Sequence, residues 1–449
     1  MSSLPSTALD ETIELLQKLI QNKCVNPPGD ELRSIKTIES YLTDRNISCQ
    51  VFETAPNRGN LVARINGSSD GSSLMFGPAH VDVVPVDRDK WSVDPFEGVI
   101  KDEHVWGRGT LDMLFIVAAQ VQAFSQLQQE GFKPKGDLIL CVVADEEAGG
   151  TYGMEWLIKN QLEIIQSDYA LGEAGGFPLA DGKLLVFGTG EKGAAWKRLT
   201  FRGTPAHGSS PYKSDNAVVK AGLAATRLAR YKSPVDTQYI KVMAKGIGMN
   251  PIIRLLMNRW MLAPVLNLIY RKNPTIAKLL YSLSRMTISP NIVQGGTKTN
   301  IIAGQAHLGV DIRVLPDQND GYVTDHVKKA IGKKLAQETT IETPSDLPGF
   351  FQSQGSTSEV SPEIKDAIMK SVSPYYPDAQ FVPMMSSGAS DLRFLRPHGT
   401  RAYGFSLFDP SVNINEISKL AHGPNERIGI KTIDLTLHAY YNVAKELLG

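Results

Sequence analysis

Cysteine is scarce in this chain of 449 residues: Cys24, Cys49 and Cys141 are an odd set of three with no CxxC spacing. That argues against a disulfide framework and a cysteine zinc site, so any metal site must be built from His, Asp and Glu. Cys141 falls inside the apolar run 138–143 and reads as a buried core thiol. Net charge is missing too. Lysine plus arginine and aspartate plus glutamate stand at 47 each, so no global field draws the chain to nucleic acid or an anionic membrane, and neither is an expected partner. Long apolar runs are also lacking. The most membrane-like stretch, 252–270, is interrupted by Arg254, Asn258 and Arg259. That leaves only about a dozen uncharged residues where a spanning helix needs roughly 20. The N-terminus has no basic segment followed by a continuous apolar core, which argues against a signal peptide. Leu15, Leu16, Leu19 and Ile20 mark an amphipathic helix there instead, and a cytoplasmic protein is expected. There is no P-loop. GTGEKG at 188–193 fits GxGxxG, but the AAWKRLTFRG that follows alternates like a strand, whereas a dinucleotide site needs a helix to start there.

What is present is the composition of a globular protein with a full core, at 42% hydrophobic and 21% charged residues, and the length suggests two or three domains. The first 190 residues alternate strand-like segments (60–65, 73–79, 137–144, 169–172) with helical ones (113–128, 151–161), which argues for an α/β sheet covered by helices. Near Gly193 the order becomes strand 194–202, helix 216–231, strands 289–294 and 306–314, helix 325–336, as in a small α+β sandwich. Residues 233–286 form a mostly helical apolar insertion, expected to serve lid packing or a subunit contact. After about Pro348 the chain reads as α/β again and ends in a helix over 431–448. The expected organisation is thus a discontinuous catalytic domain, 1–192 and 347–449, interrupted by a lid at 193–346.

Three of the strand-like segments run into possible metal ligands: SSLMFGPA into His80 and Asp82, LILCVVA into Asp145, Glu146 and Glu147, and YALG into Glu173. In open α/β sheets ligands bind beyond the carboxyl ends of strands, so these groups should share one sheet edge. Asp112, after GRGTL at the start of a helix, can join them as ligand, as helix N-cap, or as both. Imidazole and carboxylate donors suit zinc, with cobalt or manganese as alternatives. Asp82 is placed to accept from the second imidazole nitrogen of His80. Of the adjacent pair Glu146 and Glu147, one can bind metal while the other faces substrate as general base.

The motifs HVDVVPVDRDKW, GRGTLDM, DEEAGGTYG, GEAGG, GTPAHGSSP, SSGASDLRF and HGPNERI, in that order, resemble the M20 metallopeptidase and aminoacylase family over roughly residues 10–449. The resemblance implies a zinc-dependent exopeptidase-like domain carrying an α+β lid that usually dimerises. It implies two zinc ions per subunit, one on His80, Asp112 and Glu173 and the other on Asp112, Glu147 and His422. Glu146 is then the general base, taking a proton from a water activated by the metals. Asp82 orients His80, and His207 reaches a partner subunit's site to steady the oxyanion. Asn300 and Arg313 hold substrate from the lid, and Gly388, Ser390 and Arg393 form a substrate loop. The implied reaction is hydrolysis of an amide bond in a small peptide's C-terminus or an N-acyl amino acid, by a homodimer. Many relatives carry Lys two residues after the bridging aspartate, where this chain has Leu114. That departure keeps open a catalytically impaired metal-binding or regulatory homologue. His104, His307, His326, His398 and His438 read as structural or exposed.

Overall fold

The computed structural model describes residues 4–246, 249–251, 254, 261–272, 274–344 and 352–449. The expected join at 346/347 lies outside the described residues, as do Asn258 and Arg259. Two large sheets organise the chain. In the first, the strands Leu138–Val143, Leu74–His80, Tyr169–Gly172 and Arg401–Gly404 lie side by side and parallel. Arg58–Ile65 and Cys49–Ala55 add antiparallel strands at one edge. Leu184–Glu191 continues the other side, pairing with Gly175–Leu179, Gln380–Ser386 and Ser356–Thr357.

Leu138–Val143 is buried at every position, as befits a central parallel strand covered on both faces. Its side chains alternate between two cores. Leu138, Leu140 and Val142 pack with the helices Ala8–Gln21, Phe115–Gln129 and Ile430–Leu448. Ile139, Cys141 and Val143 pack under Met154–Asn160 and Leu392–Leu395. Cys141 is the buried thiol its sequence context implied. The class is therefore mixed α/β, with a catalytic sheet and an inserted smaller domain.

That smaller domain has a sheet in the order Thr339–Glu342, Lys197–Arg202, Gln305–Val314, Gly193–Ala195, Gln352–Ser353, with Thr287–Gly295 also paired to Gln305–Val314. Ala306, Leu308, Val310, Ile312 and Val314 are buried while the residues between them are not, so one face of the sheet packs under the helices Ala217–Arg230 and Asp320–Ile331. Two expected elements differ. The strand 194–202 is interrupted at Trp196, although Gly193 opposite Val314 and Lys197 opposite Val310 keep a single register on Gln305–Val314. The helix 325–336 starts earlier, at Asp320, where Asn319 accepts a bond from Tyr322 N at 2.9 Å, and it breaks at Gly332, whose φ of +89° is open to glycine at no steric cost. In the insertion, the helices Gln238–Gly246, Leu262–Lys272 and Pro274–Leu283 share a separate apolar cluster with Leu315 and Met385. Lys192 alone separates Leu184–Glu191 of the large sheet from Gly193–Ala195 of the small one. The GxGxxG run thus lies in strand, not at a helix start.

Candidate metal centre

His80 is the last residue of its strand, and its side chain is only 1% exposed. Its Nδ1 lies 3.0 Å from the Asp82 backbone oxygen and 3.5 Å from Asp82 Oδ1. A carbonyl oxygen only accepts, so Nδ1 carries a proton and Nε2 faces the site. The Asp82 carboxylate has further work. It accepts from the backbone N–H groups of Glu146 and Glu147, both at 3.1 Å, and from Asn26 Nδ2 at 2.8 Å. Glu146 and Glu147 therefore part company in a short 3-10 turn, Glu146–Ala148, entered through Asp145 at φ +71°, and not by strand alternation.

The ligand atoms of His80, Asp112 and Glu173 lie within 4.8 Å of one another, and so do those of Asp112, Glu147 and His422. Asp112 serves both groups with different oxygens: Oδ1 is 3.3 Å from His80 Nε2, and Oδ2 is 3.0 Å from His422 Nε2. Glu147 Oε1 is 3.2 Å from His422 Nε2, yet this buried oxygen makes no hydrogen bond of acceptable geometry. Burial, joined by repulsion from Asp112, pushes Glu173 up to about 8. The hydrogen bond to Asp112 and the close Glu147 carboxylate push His422 up to about 10. Burial opposes charge on His80 as well, but hydrogen bonds to Asp112, Asp82 and Glu173 prevail and hold it well above the ordinary histidine value. Three carboxylates crowded this closely, with one bridging residue and an unsatisfied buried oxygen, fit a pair of divalent cations.

The loop carrying Asp112 is fixed by a residue the sequence reading passed over. Glu426 is fully buried. It accepts from Arg108 Nη1 at 2.6 Å and from the backbone N–H groups of Gly109, Leu111 and Asp112 at 3.1, 2.8 and 3.1 Å. Arg108 Nη2 donates to the His422 backbone oxygen at 3.1 Å, so one ion pair ties together the loops of two ligands. Both residues stand in motifs legible in sequence, GRGTLDM and HGPNERI, but a pairing across 318 positions leaves no local signal. Leu114 proves to be core, 1% exposed. Gly109 sits at φ +82°, where a Cβ would come within 2.4 Å of Val83 and 2.9 Å of Leu114.

A second buried network lies beneath the Glu146 turn. Arg58 donates to both oxygens of Glu31 at 2.5 and 2.7 Å and to Asp145 at 2.6 Å, and Asn26 bonds Asp145 at 3.1 Å. Burial pushes Glu31 up to about 7 against the pull of Arg58.

A cavity of about 440 Å³ opens over the two groups of ligands. Glu146, Arg313, Gly388 and Ser390 line it. Arg313 Nε donates to Asp311 at 2.8 Å. Arg393 does not line the cavity. It sits behind the loop, donating to Ser390 O and to Gly149 O at 2.5 and 3.0 Å, with Nη1 3.7 Å from Glu146 Oε1. His207 and Asn300 also lie off the cavity, both exposed and adjacent on the lid, where Gly208 N donates to Asn300 O at 2.7 Å. Two further charged residues in the wall were missed: Glu191 is buried and ion-paired with Arg396.

The profile described as Peptidase family M20/M25/M40 matches residues 78–446. The chain belongs to this family. As an M20 protein it is a metal-dependent amidohydrolase. It is 26% identical over 401 residues to the probable carboxypeptidase S-like 2 of Dictyostelium discoideum, covering 86% of this chain and 74% of that one. It is 26% identical over 388 residues to the N-fatty-acyl-amino acid synthase/hydrolase PM20D1 of Homo sapiens, covering 82% and 73%. It is 23% identical to aminoacylase-1 of Sus scrofa, covering 93% and 90%. A crystal structure of an M20 family metallo-carboxypeptidase from Sulfolobus solfataricus shares the fold with a TM-score of 0.72 at 17% identity, covering 98% and 99%. A Bacillus subtilis structure described as a dinuclear metal-binding M20 peptidase aligns with a TM-score of 0.60 at 13% identity, covering 99% of each chain.

Proposed function

We propose that this M20 chain hydrolyses the amide bond of an N-acyl amino acid or of a peptide's C-terminal residue, with Glu146 as general base and zinc as the resident metal. The observation that carries the reading is Glu146 itself. It borders the cavity beside both groups of ligands and belongs to neither. Burial, then the negative charge of Glu173, holds it well above the ordinary carboxylate range, which suits a group that takes a proton and gives it back. His80, Asp112 and Glu173 would hold one metal, and Asp112, Glu147 and His422 the other. When bound, two divalent cations would acidify the attacking water and polarise the scissile carbonyl.

The chain's own residues do the rest. Glu146 accepts the proton of the attacking water and delivers it to the leaving nitrogen. Arg393, behind Glu146, keeps that carboxylate aimed at the cavity. Arg313, its guanidinium oriented by Asp311, receives the substrate's free carboxylate, and the loop of Gly388 and Ser390 borders its backbone. His207 and Asn300 stand together on the exposed lid edge, which supports their serving a second copy's site. Val218 and Val219 on one lid helix and Ile292 and Val293 on the neighbouring strand are exposed apolar residues, a face suited to that dimer. The relatives named for acyl-amino-acid hydrolysis and for carboxypeptidase activity support the substrate class. Leu114, being core, offers no ground for an impaired homologue. The test is turnover of a panel of N-acyl amino acids and dipeptides with zinc, then with cobalt or manganese. Hydrolysis of at least one member is expected; no turnover at two bound metals per chain would overturn the reading.

A further inference from the structure

The chain as a whole is neutral, but its charge is not evenly spread. Residues 233–286 hold eight lysines and arginines against the single acid Asp236, leaving 39 bases against 46 acids in the remainder. In this segment the structure finds an apolar surface turned outward. The helix Leu262–Lys272 buries Leu262 and Leu266 in the small cluster that anchors it to Leu315 and Met385. Its other sides carry Val265, Leu268 and Tyr270, at 38%, 62% and 53% exposed. Val265 and Leu268 are three residues apart and form one exposed strip along a flank of the helix, with Leu268 the farther from the buried side of Leu262 and Leu266, while Tyr270, four residues after Leu266, lies on the other flank. On that helix, among residues whose exposure is described, only Asn267 and Arg271 break the apolar circumference. A helix apolar nearly all round is normally covered on all sides. On the two other helices of the insertion Val242 and Tyr281 are 51% and 44% exposed, and the exposed cations of the segment include Lys241, Lys245, Arg271 and Lys278.

We infer that this helical insertion docks on the surface of an anionic lipid bilayer, with Val265 and Leu268 entering the headgroup boundary and the lysines and arginines of the segment meeting lipid phosphates and carboxylates. Exposed apolar residues in a strongly basic segment are what an interfacial helix needs. A second copy of this chain fits the face poorly. A two-fold contact would set the same basic segment against itself, and the lid already offers an uncharged apolar face of its own. Insertion across the bilayer is not implied. Among the described residues, the helical stretch long and apolar enough to span is Thr110–Gln129, and 89% of it is buried in the core.

The test is co-sedimentation of the full-length protein with vesicles of phosphatidylcholine alone and of phosphatidylcholine with ~30% phosphatidylserine, at low and high salt. Binding is expected only to the anionic vesicles, weakened by salt. The Val265→Glu/Leu268→Glu variant should bind at least ~10-fold more weakly while keeping wild-type turnover of a soluble substrate and an unchanged circular dichroism spectrum. The Lys241→Gln/Lys278→Gln variant should lose part of the binding and most of its salt dependence. Wild type failing to bind anionic vesicles at low salt would overturn the inference. So would undiminished binding by the Val265/Leu268 variant, or conversion of a wild-type dimer to monomer by that variant, which would make the face a subunit contact. None of these outcomes depends on the metal centre, so the hydrolase reading stands or falls apart from it.

Discussion

The two halves of the candidate metal centre share Asp112 but are built in different ways. His80 ends a fully buried strand, and the backbone oxygen of Asp82 fixes its ring. Its half of the site comes with the sheet. His422 has a side chain 50% exposed and a left-handed backbone at φ +58°. Its loop is placed by Arg108, which Glu426 in turn holds. That half exists only because a long-range ion pair clamps two loops together. A ligand supplied by secondary structure is preorganised by the fold; a ligand supplied by a clamp is only as well placed as the clamp.

The largest effects should come where the two halves meet. Asp112→Ala is expected to remove both metals and reduce turnover to background, measured by elemental analysis beside the assay; retention of two metals would show that Asp112 does not bridge. Glu146→Gln should lower kcat by ~10²–10⁴-fold with both metals kept, separating base from ligand. The halves should then diverge. His422→Ala should lose one metal and recover part of its activity at high zinc, because water can enter the exposed position. His80→Ala should not recover, since its gap lies inside the core. Equal rescue of the two variants would break the contrast. Glu426→Gln should weaken metal binding by ~10–100-fold, in proportion at the His422 half, and titration calorimetry of the apoprotein would resolve the two steps.

The same difference decided what the sequence could reveal. Leu138–Val143 and Leu74–His80 announced themselves as buried strands, and a residue at a strand's end is placed by the strand. His80, Glu146, Glu147 and Glu173 could therefore be gathered on one edge from pattern alone. His422 and the two-sided role of Asp112 came only through resemblance to a family, since irregular loops carry no period. Neither route reached Glu426 or Arg58, and Asp145 was read only as a possible ligand, not as the partner of Arg58. Their partners lie 318, 27 and 87 positions away, and a buried charge looks in sequence like a solvated one. Asp82 was half legible: its nearness to His80 followed from spacing, its hold on the Glu146 turn did not. Arg393 was read as touching substrate, whereas the fold sets it behind Glu146 and off the cavity. The interruption of 194–202 at Trp196 also left no mark in the alternating pattern.

The smallest effect lies outside both halves, at the crossing between the sheets, and it tests whether that crossing is held by charge, as the His422 loop is, or by burial, as His80 is. The Lys192 ammonium site is buried, with Nζ 2.9 Å from Ser282 O, 2.8 Å from Arg285 O and 3.3 Å from Thr287 Oγ1. Burial, then the charges of Arg313 and Arg285 against that of Asp311, pushes it down to about 7 from 10.5. Between those two values the unfolded chain holds a proton that the folded chain does not. Stability should therefore rise with pH across that interval, while below about pH 7 the penalty for burying the charge is present in full. Lys192→Met keeps the length and removes the proton. The wild-type Tm minus the variant Tm should thus climb by several degrees from pH 7 to 9, at roughly 1 kcal/mol per pH unit and ~2 °C per kcal/mol for a chain of this size. Taking the difference cancels every other titrating group. A flat difference would mean that Lys192 stays charged on its carbonyls and that the lid is pinned by charge, as the exposed half of the metal centre is.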